Sequence, residues 1–200
     1  MSAPLEFGHI RRMNDARFPH EVAVILPGEY FVSDTPMVVY TVLGSCISVC
    51  LRDNYAGIGG MNHFMLAAPT DHSSGDGWAE SGRYGSYAME MLINGILKRG
   101  GHRNRLEAKV FGGGKICAGT NDVGAKNAAW ALDYLEKEGL PPLKVDVGDV
   151  CPRKVYFFTD SGRVLLKKLH QVQSQDIAKE EGRYQKTLQQ SQPTGEVTLF

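Results

Sequence analysis

The chain has 200 residues, of which 42% are hydrophobic and 22% charged, proportions that are typical of a single globular domain. Its 22 Lys and Arg residues balance 22 Asp and Glu residues, so no net charge attracts nucleic acid or an anionic membrane surface. No apolar run approaches bilayer length, and no apolar segment follows the basic N-terminal residues as in a secretory signal. We therefore expect a cytoplasmic protein whose four cysteines are free thiols.

Composition divides the chain into three parts. Residues 1–20 are polar and aperiodic, which predicts a flexible N-terminal arm. Residues 21–170 carry the apolar periodicities of a single folded domain. Residues 171–200 are Gln-rich and polar until a final GEVTLF, and they are interpreted as a tail.

The first half of the domain has strand patterns. Residues 21–33 alternate apolar and polar side chains around a Pro-Gly turn. Residues 37–53 and 57–66 are rich in β-branched and apolar side chains, and they flank turn-forming residues at 53–56. This arrangement predicts a β-hairpin.

The second half adds two helices. After a long loop at 67–82, helical spacing predicts a helix over 83–99, and Asp122 is a candidate N-cap for another helix that ends at Gly139. Further strands are predicted at 106–111, at 143–150 and, as a pair, within 154–169. Because sequential strands are hairpin-linked and outnumber the helices, the predicted class is α+β with mainly antiparallel sheet.

Cys46 and His63 are the residues that indicate chemistry. If the hairpin turn is centred between Asn54 and Tyr55, these two residues lie directly opposite each other. Directly opposed residues place their Cβ atoms about 4.5–5.5 Å apart on one face of the sheet. A bulge at the glycine pair 59–60 would instead shift the register and could turn His63 to the other face.

A thiol beside an imidazole can act on an amide. His63 as general base would take the proton of Cys46, and the resulting thiolate would attack a carbonyl carbon. Thr41 could orient His63 as a third residue, although a threonine in a strand is also an ordinary β-former. Considered alone, Cys46 could equally be a buried packing residue, and His63 a core histidine with satisfied hydrogen bonds.

The same chemistry needs donors for an oxyanion. Backbone N–H groups at 44–46 are candidates, so Gly44 and Ser45 are assigned to substrate or oxyanion binding, and Asn62, next to His63 in the sequence, is assigned there as well. The glycine run 112–114 lacks the frame of a phosphate loop and predicts a tight turn near the site.

We expect no metal and no cofactor. A zinc set drawn from Cys46, Cys50, His63 and His72 is conceivable, but it lacks the second paired motif of common zinc sites. The other cysteines are interpreted as packing residues.

The motifs also resemble a known family. TVLGSCISVCLRD and GIGGMNHFML, followed by RYGSYAMEMLINGILKRGG, LEAKVFGGG and VGAKNAAWALDYLEKEG, closely resemble the CheD chemoreceptor glutamine deamidases over roughly residues 28–170. The resemblance implies an α/β/β three-layer sandwich with a catalytic Cys at Cys46 and a catalytic His at His63. Thr41 is the nearest match to the family's threonine, which some members carry one residue upstream, where Tyr40 stands here.

The resemblance also implies partners. Family substrates are glutamines on the cytoplasmic coiled coils of chemoreceptors, and some members bind a CheC-type phosphatase. Two functions remain open: a deamidase that forms a Cys thioester, and a non-catalytic chemotaxis adaptor that binds receptors or the phosphatase. Retention of both the GSC and NHF motifs favours the enzyme, and a different cysteine hydrolase acting on another protein is a weaker third possibility.

Overall fold

A computed structural model describes residues 6–66, 77–116, 122–169 and 174–190. In chain order the elements are β1 (Arg11–Met13), β2 (Val22–Val24), β3 (Tyr30–Ser33), β4 (Val38–Leu43), β5 (Ile47–Asp53), β6 (Ile58–Asn62), α1 (Gly77–Lys98), a short 3-10 turn (Arg103–Arg105), β7 (Leu106–Gly112), α2 (Val123–Lys137), β8 (Lys144–Val147), β9 (Arg153–Phe158), β10 (Val164–Lys168) and α3 (Ser174–Gln190).

The strands form two five-stranded sheets. The outer sheet has the order β1-β2-β4-β9-β10, and the central sheet has the order β3-β6-β5-β7-β8. The pairs β2/β4 and β7/β8 are parallel, and every other pair within these two sheets is antiparallel. This content confirms the predicted α+β class with mainly antiparallel sheet.

Two adjacent glycines of β6 show how the layers stack. A Cβ on Gly59 would lie 3.2 Å from the ring of Phe157 in the outer sheet, whereas one on Gly60 would lie 2.8 Å from Leu92 of α1. Because successive residues of a strand face opposite sides of the sheet, the central sheet has the outer sheet on one face and helices on the other. Helix α2 packs against β5 and β7 on the helical side, which completes the three-layer sandwich.

The hairpin of β5 and β6 has a different register from the predicted one. Cys50 pairs with Met61 and Asp53 with Ile58, so the ladder is regular through the glycines of β6 and Cys46 is not directly opposite His63. The predicted register is therefore wrong by two residues. A slip of two residues keeps every side chain on its original face, so the two side chains still lie on one side of the hairpin.

The predicted strand at 37–53 is divided between the two layers. Residues 44–46 carry the chain from β4 in the outer sheet to β5 in the central sheet. Likewise, β2 and β3 on either side of the predicted Pro-Gly turn belong to different sheets. Residues 44–46 are thus an irregular crossing segment whose backbone N–H groups take no part in a sheet ladder, unlike those of a continuous strand.

The helices agree with the sequence in part. Helix α2 begins as predicted, and Asp122 caps it by accepting a 2.9 Å hydrogen bond from the backbone N–H of Ala125. Helix α1 ends close to the predicted point but begins at Gly77, six residues earlier than expected. No helix in the described ranges combines the length and apolar character needed to cross a membrane.

Both terminal segments differ from the predicted arm and tail. In the N-terminal segment β1 pairs with β2, and Phe7 and Ile10 are buried in the main core, with the Phe7 ring 5.0 Å from that of Phe31. In the C-terminal segment, α3 packs against the domain. The final GEVTLF and most of the predicted loop at 67–82 lie outside the described residues.

Candidate active site

Cys46 lies in the crossing segment 44–46, which neighbouring backbone holds in place. Gly113 donates its N–H to the Cys46 carbonyl at 2.8 Å, and Gly114 donates to the Gly44 carbonyl at 2.7 Å. Asn127 of α2 donates its side-chain N–H to the Ser45 carbonyl at 2.9 Å. All three carbonyls of the segment are satisfied, so its N–H groups are held in a defined direction.

Gly112→Ala is expected to destabilise the domain strongly. Gly112 has φ 120°, and a Cβ there would lie 2.1 Å from the Cys46 carbonyl oxygen, a backbone atom that cannot rotate away. Gly57→Ala is the matched control, because Gly57 has φ 70° but no atom within 4 Å of its Cβ position. We expect denaturant unfolding to show a loss for Gly112→Ala at least about 2 kcal/mol larger than for the control. Equal losses would mean that the close approach is unimportant.

His63 follows β6 and is oriented by Thr41 of β4. Its Nδ1 lies 2.7 Å from the Thr41 hydroxyl, which donates its single proton to the Ile25 carbonyl at 2.8 Å. The hydroxyl must therefore accept from Nδ1–H, which leaves Nε2 unprotonated. Both side chains are 2% exposed, and Nε2 has no hydrogen-bond partner among the described residues.

The geometry also distinguishes Thr41 from its neighbour. The ring of Tyr40 stacks on that of Tyr156, with the ring centroids 4.6 Å apart. Tyr40 packs with the small cluster on the other face of the outer sheet, away from His63. Of the two positions that the family resemblance leaves open, Thr41 is the one whose side chain contacts the imidazole.

Thr41→Val is expected to lower kcat with little change in fold. Valine has nearly the same shape but offers no acceptor for Nδ1–H, so the tautomer and the ring orientation of His63 are no longer fixed. We expect a fall of about 10- to 100-fold, a part of what general acid–base catalysis contributes. Thr41→Ser keeps the hydroxyl and should retain most of the rate. Equal activity of the two variants, followed as ammonia release, would contradict the positioning role.

The N–H groups of the crossing segment converge on one carboxylate. Glu181 of α3 accepts from Gly44 N–H and Ser45 N–H, each at 2.7 Å, and from the Ser45 hydroxyl at 2.6 Å. The N–H of Cys46 points to the same carboxylate at 3.3 Å. The Cys46 sulfur, a ring nitrogen of His63 and a Glu181 oxygen all lie within 4.8 Å of one another. The segment is therefore a cradle for a carboxylate, with Gly44 and Cys46 at one oxygen and Ser45 at the other.

Both members of the Cys–His pair are held neutral. Burial raises the pKa of the Cys46 thiol, and the charge of Glu181 raises it further. Burial lowers the pKa of His63, against an opposing effect of Glu181. In this arrangement the thiol keeps its proton and the imidazole is free to accept it.

The predicted site residues separate into two groups. Cys46, His63, Thr41, Gly44 and Ser45 meet at one place, as the preceding distances show. The structure does not bring Asn62 to it: its side chain accepts from the β5 backbone at 2.9 Å and donates to the backbone of α1 at 3.2 Å. That amide joins β6 to β5 and to the helical layer.

Two residues that lie near the site, Asn127 and Glu181, were not identified from the sequence. Asn127, which is fully buried, donates to the Ser45 carbonyl and accepts from Leu66 N–H at 3.0 Å, so it ties the Cys46 segment to the chain after His63. The only signal was an Asn within an otherwise apolar face of a predicted helix. Glu181 gave no signal, because it lies in a polar segment without an evident fold.

Cys46, His63 and Glu181 also lie close enough together to hold a metal ion. However, both Glu181 oxygens face N–H donors, whose positive ends point to where a cation would sit. The arrangement therefore suits an oxyanion better than a metal. Of the zinc set considered from the sequence, Cys50 is buried within the β5 ladder and His72 lies outside the described residues.

A three-layer α+β domain with a buried thiol and imidazole beside converging N–H groups has the arrangement that cysteine-dependent hydrolases use. Comparison with known proteins identifies the family. Residues 65–168 match the family model described as CheD chemotactic sensory transduction. The chain belongs to the CheD family.

Several curated relatives are similar over nearly the whole chain. A protein of Methylobacillus flagellatus is 48% identical and one of Thiobacillus denitrificans 49% identical, each over 188 residues and 93% of both chains. A protein of Stenotrophomonas maltophilia is 44% identical over 202 residues and 100% of both chains. Each is named a probable chemoreceptor glutamine deamidase CheD.

Proposed function

We propose that this chain is a protein-glutamine deamidase that converts specific glutamine side chains of chemoreceptors to glutamate. The observation that carries the proposal is the His63 imidazole beside the Cys46 thiol: a ring nitrogen lies within 4.8 Å of the sulfur, Nδ1 is engaged by Thr41, and Nε2 has no hydrogen-bond partner among the described residues. The names of the full-length relatives support chemoreceptor glutamine as the substrate.

The pair would act by nucleophilic catalysis. His63 Nε2 takes the thiol proton as the Cys46 sulfur attacks the side-chain amide carbon of the glutamine. The tetrahedral intermediate collapses by breaking the C–N bond, and His63 returns the proton so that ammonia leaves. A water molecule, deprotonated by His63, then attacks the resulting thioester. Glutamate is released and the Cys46 thiol is restored, so amide and water become carboxylate and ammonium.

The crossing segment would stabilise the oxyanion of both tetrahedral intermediates. The N–H groups of Gly44 and Cys46 already bind one oxygen of the Glu181 carboxylate, at 2.7 and 3.3 Å, and the N–H of Ser45 binds the other at 2.7 Å. Donors held in advance need no reorganisation as charge develops, which makes such electrostatic stabilisation a large part of catalysis. The hydrolysis is redox-neutral and uses only water, so it calls for no cofactor.

The substrate class also defines the setting. Chemoreceptor glutamines lie on cytoplasmic domains, so the enzyme would work in the cytoplasm and meet the membrane only through the receptors. A CheC-type phosphatase is a further partner that the family resemblance implies. No nucleic-acid partner is proposed for a chain without net charge.

Incubation of a chemoreceptor cytoplasmic fragment with this protein, followed by peptide mass spectrometry, tests the function. We expect Gln-to-Glu conversion at specific receptor positions and none in an unrelated glutamine-containing coiled coil. Binding to the receptor fragment without conversion would favour the adaptor instead. Equal conversion of both coiled coils would contradict the receptor as the specific substrate.

A further inference from the structure

Glu181 occupies the place that a substrate must enter. Its carboxylate receives the N–H groups of Gly44 and Ser45 and lies next to the Cys46 sulfur. An amide in reach of that sulfur would need the same donors for its oxygen. Substrate and Glu181 cannot both be bound there.

We propose that Glu181 of α3 mimics the glutamate product of the reaction within the same chain. The groove that α3 covers, formed by residues 44–46 and His63, is then the binding site for the receptor helix that carries the target glutamine. The enzyme is then autoinhibited until α3 leaves the groove. This inference rests on the proposed function, since it assigns the substrate surface of the same site.

The chemistry of the occupant supports this assignment. Deamidation turns a glutamine side chain into a glutamate, and Glu181 is a glutamate side chain presented from a helix. Its two oxygens both accept hydrogen bonds, one from Gly44 N–H and the other from Ser45 N–H and hydroxyl. An amide would place its NH2 group against one of these N–H donors, so the cradle binds the product form better than the substrate form.

The packing of α3 is compatible with its departure. Among its side chains at 176–188, the buried ones are Glu181, 4% exposed, and Leu188, 7% exposed. Clefts run along both sides of the helix to Glu181, one bordered by His63 and Ile177 and the other by Ser45 and Ala178. Besides Glu181, α3 contributes Leu188 to the main core, and Tyr184 packs against that core, so its departure would expose these two side chains while the strands of both sheets keep their pairing.

The surroundings of the Cys46 thiol agree with an inhibited form. Burial and the adjacent Glu181 charge raise the pKa of the Cys46 thiol. Removal of the carboxylate takes away the like charge that opposes thiolate formation, and removal of the helix opens the site to water. Departure of α3 would therefore both expose and activate Cys46.

The decisive test replaces the carboxylate of Glu181, which mimics the product, with the amide of a glutamine, which resembles the substrate. In the full-length Glu181→Gln variant, the amide carbon is presented to Cys46 at the high effective concentration of a tethered group. We expect this side chain to be deamidated, so that the peptide containing position 181 has the mass calculated with glutamate, and not glutamine, at that position. Two matched controls should keep the amide: the double variant Cys46→Ala with Glu181→Gln, and Glu180→Gln on the exposed neighbouring position.

The receptor fragment is included in the same reaction, because it separates the two hypotheses. Retention of the amide at position 181 while the receptor is converted would overturn the product-mimic role and leave the deamidase intact. Retention of the amide both at position 181 and in the receptor would overturn the product-mimic role and the proposed deamidase function. Conversion at position 181 alone would support the product-mimic role of α3 and the amide chemistry, and it would overturn the receptor helix as the occupant of the groove.

Glu181→Ala provides an independent measurement. Loss of the carboxylate should weaken the docking of α3, so we expect a several-fold faster conversion of the receptor fragment and a several-fold faster alkylation of Cys46 by iodoacetamide. A slower conversion would instead make Glu181 a contributor to catalysis. That result, or unchanged rates in both assays, would overturn autoinhibition by α3.

Discussion

A Cys46→Ala variant is expected to leave every glutamine of a chemoreceptor fragment unconverted while folding as the native chain does. The sulfur is the atom that attacks the amide, and alanine offers no nucleophile in its place. Cys46 is fully buried but small, so its truncation should cost about 1 kcal/mol of stability, a modest core effect. Peptide mass spectrometry and a thermal unfolding curve measure the two properties separately.

Cys50→Ala is the matched control for this result. Cys50 lies four residues further along the chain, and it is 1% exposed within the β5 ladder between Met61 and Lys109. Its loss should reduce stability to a similar extent and preserve conversion. Conversion by Cys46→Ala at the native rate would make Cys46 a packing residue and remove the basis of the proposed function.

A His63→Ala variant is expected to lose about 10²–10⁴-fold in kcat, the range that general acid–base catalysis supplies. Without the imidazole, the buried thiol has no acceptor for its proton and the leaving ammonia has no donor. Because His63 is 2% exposed, its truncation also leaves a cavity and should lower stability, so a thermal unfolding curve is measured beside the rate. The residual rate should rise with pH, since hydroxide must then deprotonate Cys46.

His102→Ala controls for the loss of an imidazole elsewhere. The His102 side chain is exposed, at the start of the 3-10 turn before β7, and its removal should not change kcat. A His63→Ala variant with the native rate, or with the native pH profile at a reduced rate, would contradict the assignment of His63 as the base.

The Cys–His pairing shows how far sequence reasoning can reach. Assuming a turn at Asn54 and Tyr55 predicts direct opposition of Cys46 and His63, and the real register differs by two residues. The prediction of proximity holds despite the wrong register because side chains alternate with a period of two. The face on which a side chain lies follows from the local alternation along the strand, whereas the pairing register also depends on how the strand pairs with its other neighbours.

Asn62 illustrates the opposite outcome. Its position beside His63 in the sequence suggests a shared role, yet adjacent residues of a strand point to opposite faces. The Asn62 side chain accordingly contacts β5 and α1. Neighbours in the chain are close in space, but their side chains need not meet.

The sequence by itself determined the elements whose signals are local. Apolar periodicity, glycine turns and an Asp cap predicted most strands, helix α2 and the α+β class, and two short motifs supplied the nucleophile and base candidates. These features depend on residues within a few positions of one another. Short-range sterics and hydrogen bonding act on them in any tertiary context.

The tertiary structure alone decided which distant groups complete the site. Asn127 lies 82 residues from Ser45, and Glu181 lies 136 residues from it, yet both contact the same crossing segment. Helix α3 has a polar sequence whose only fully buried acid is stabilised by N–H groups of that segment. A buried carboxylate is favourable only where donors already converge. Such donors exist only once β4, β5 and the glycine turn have come together.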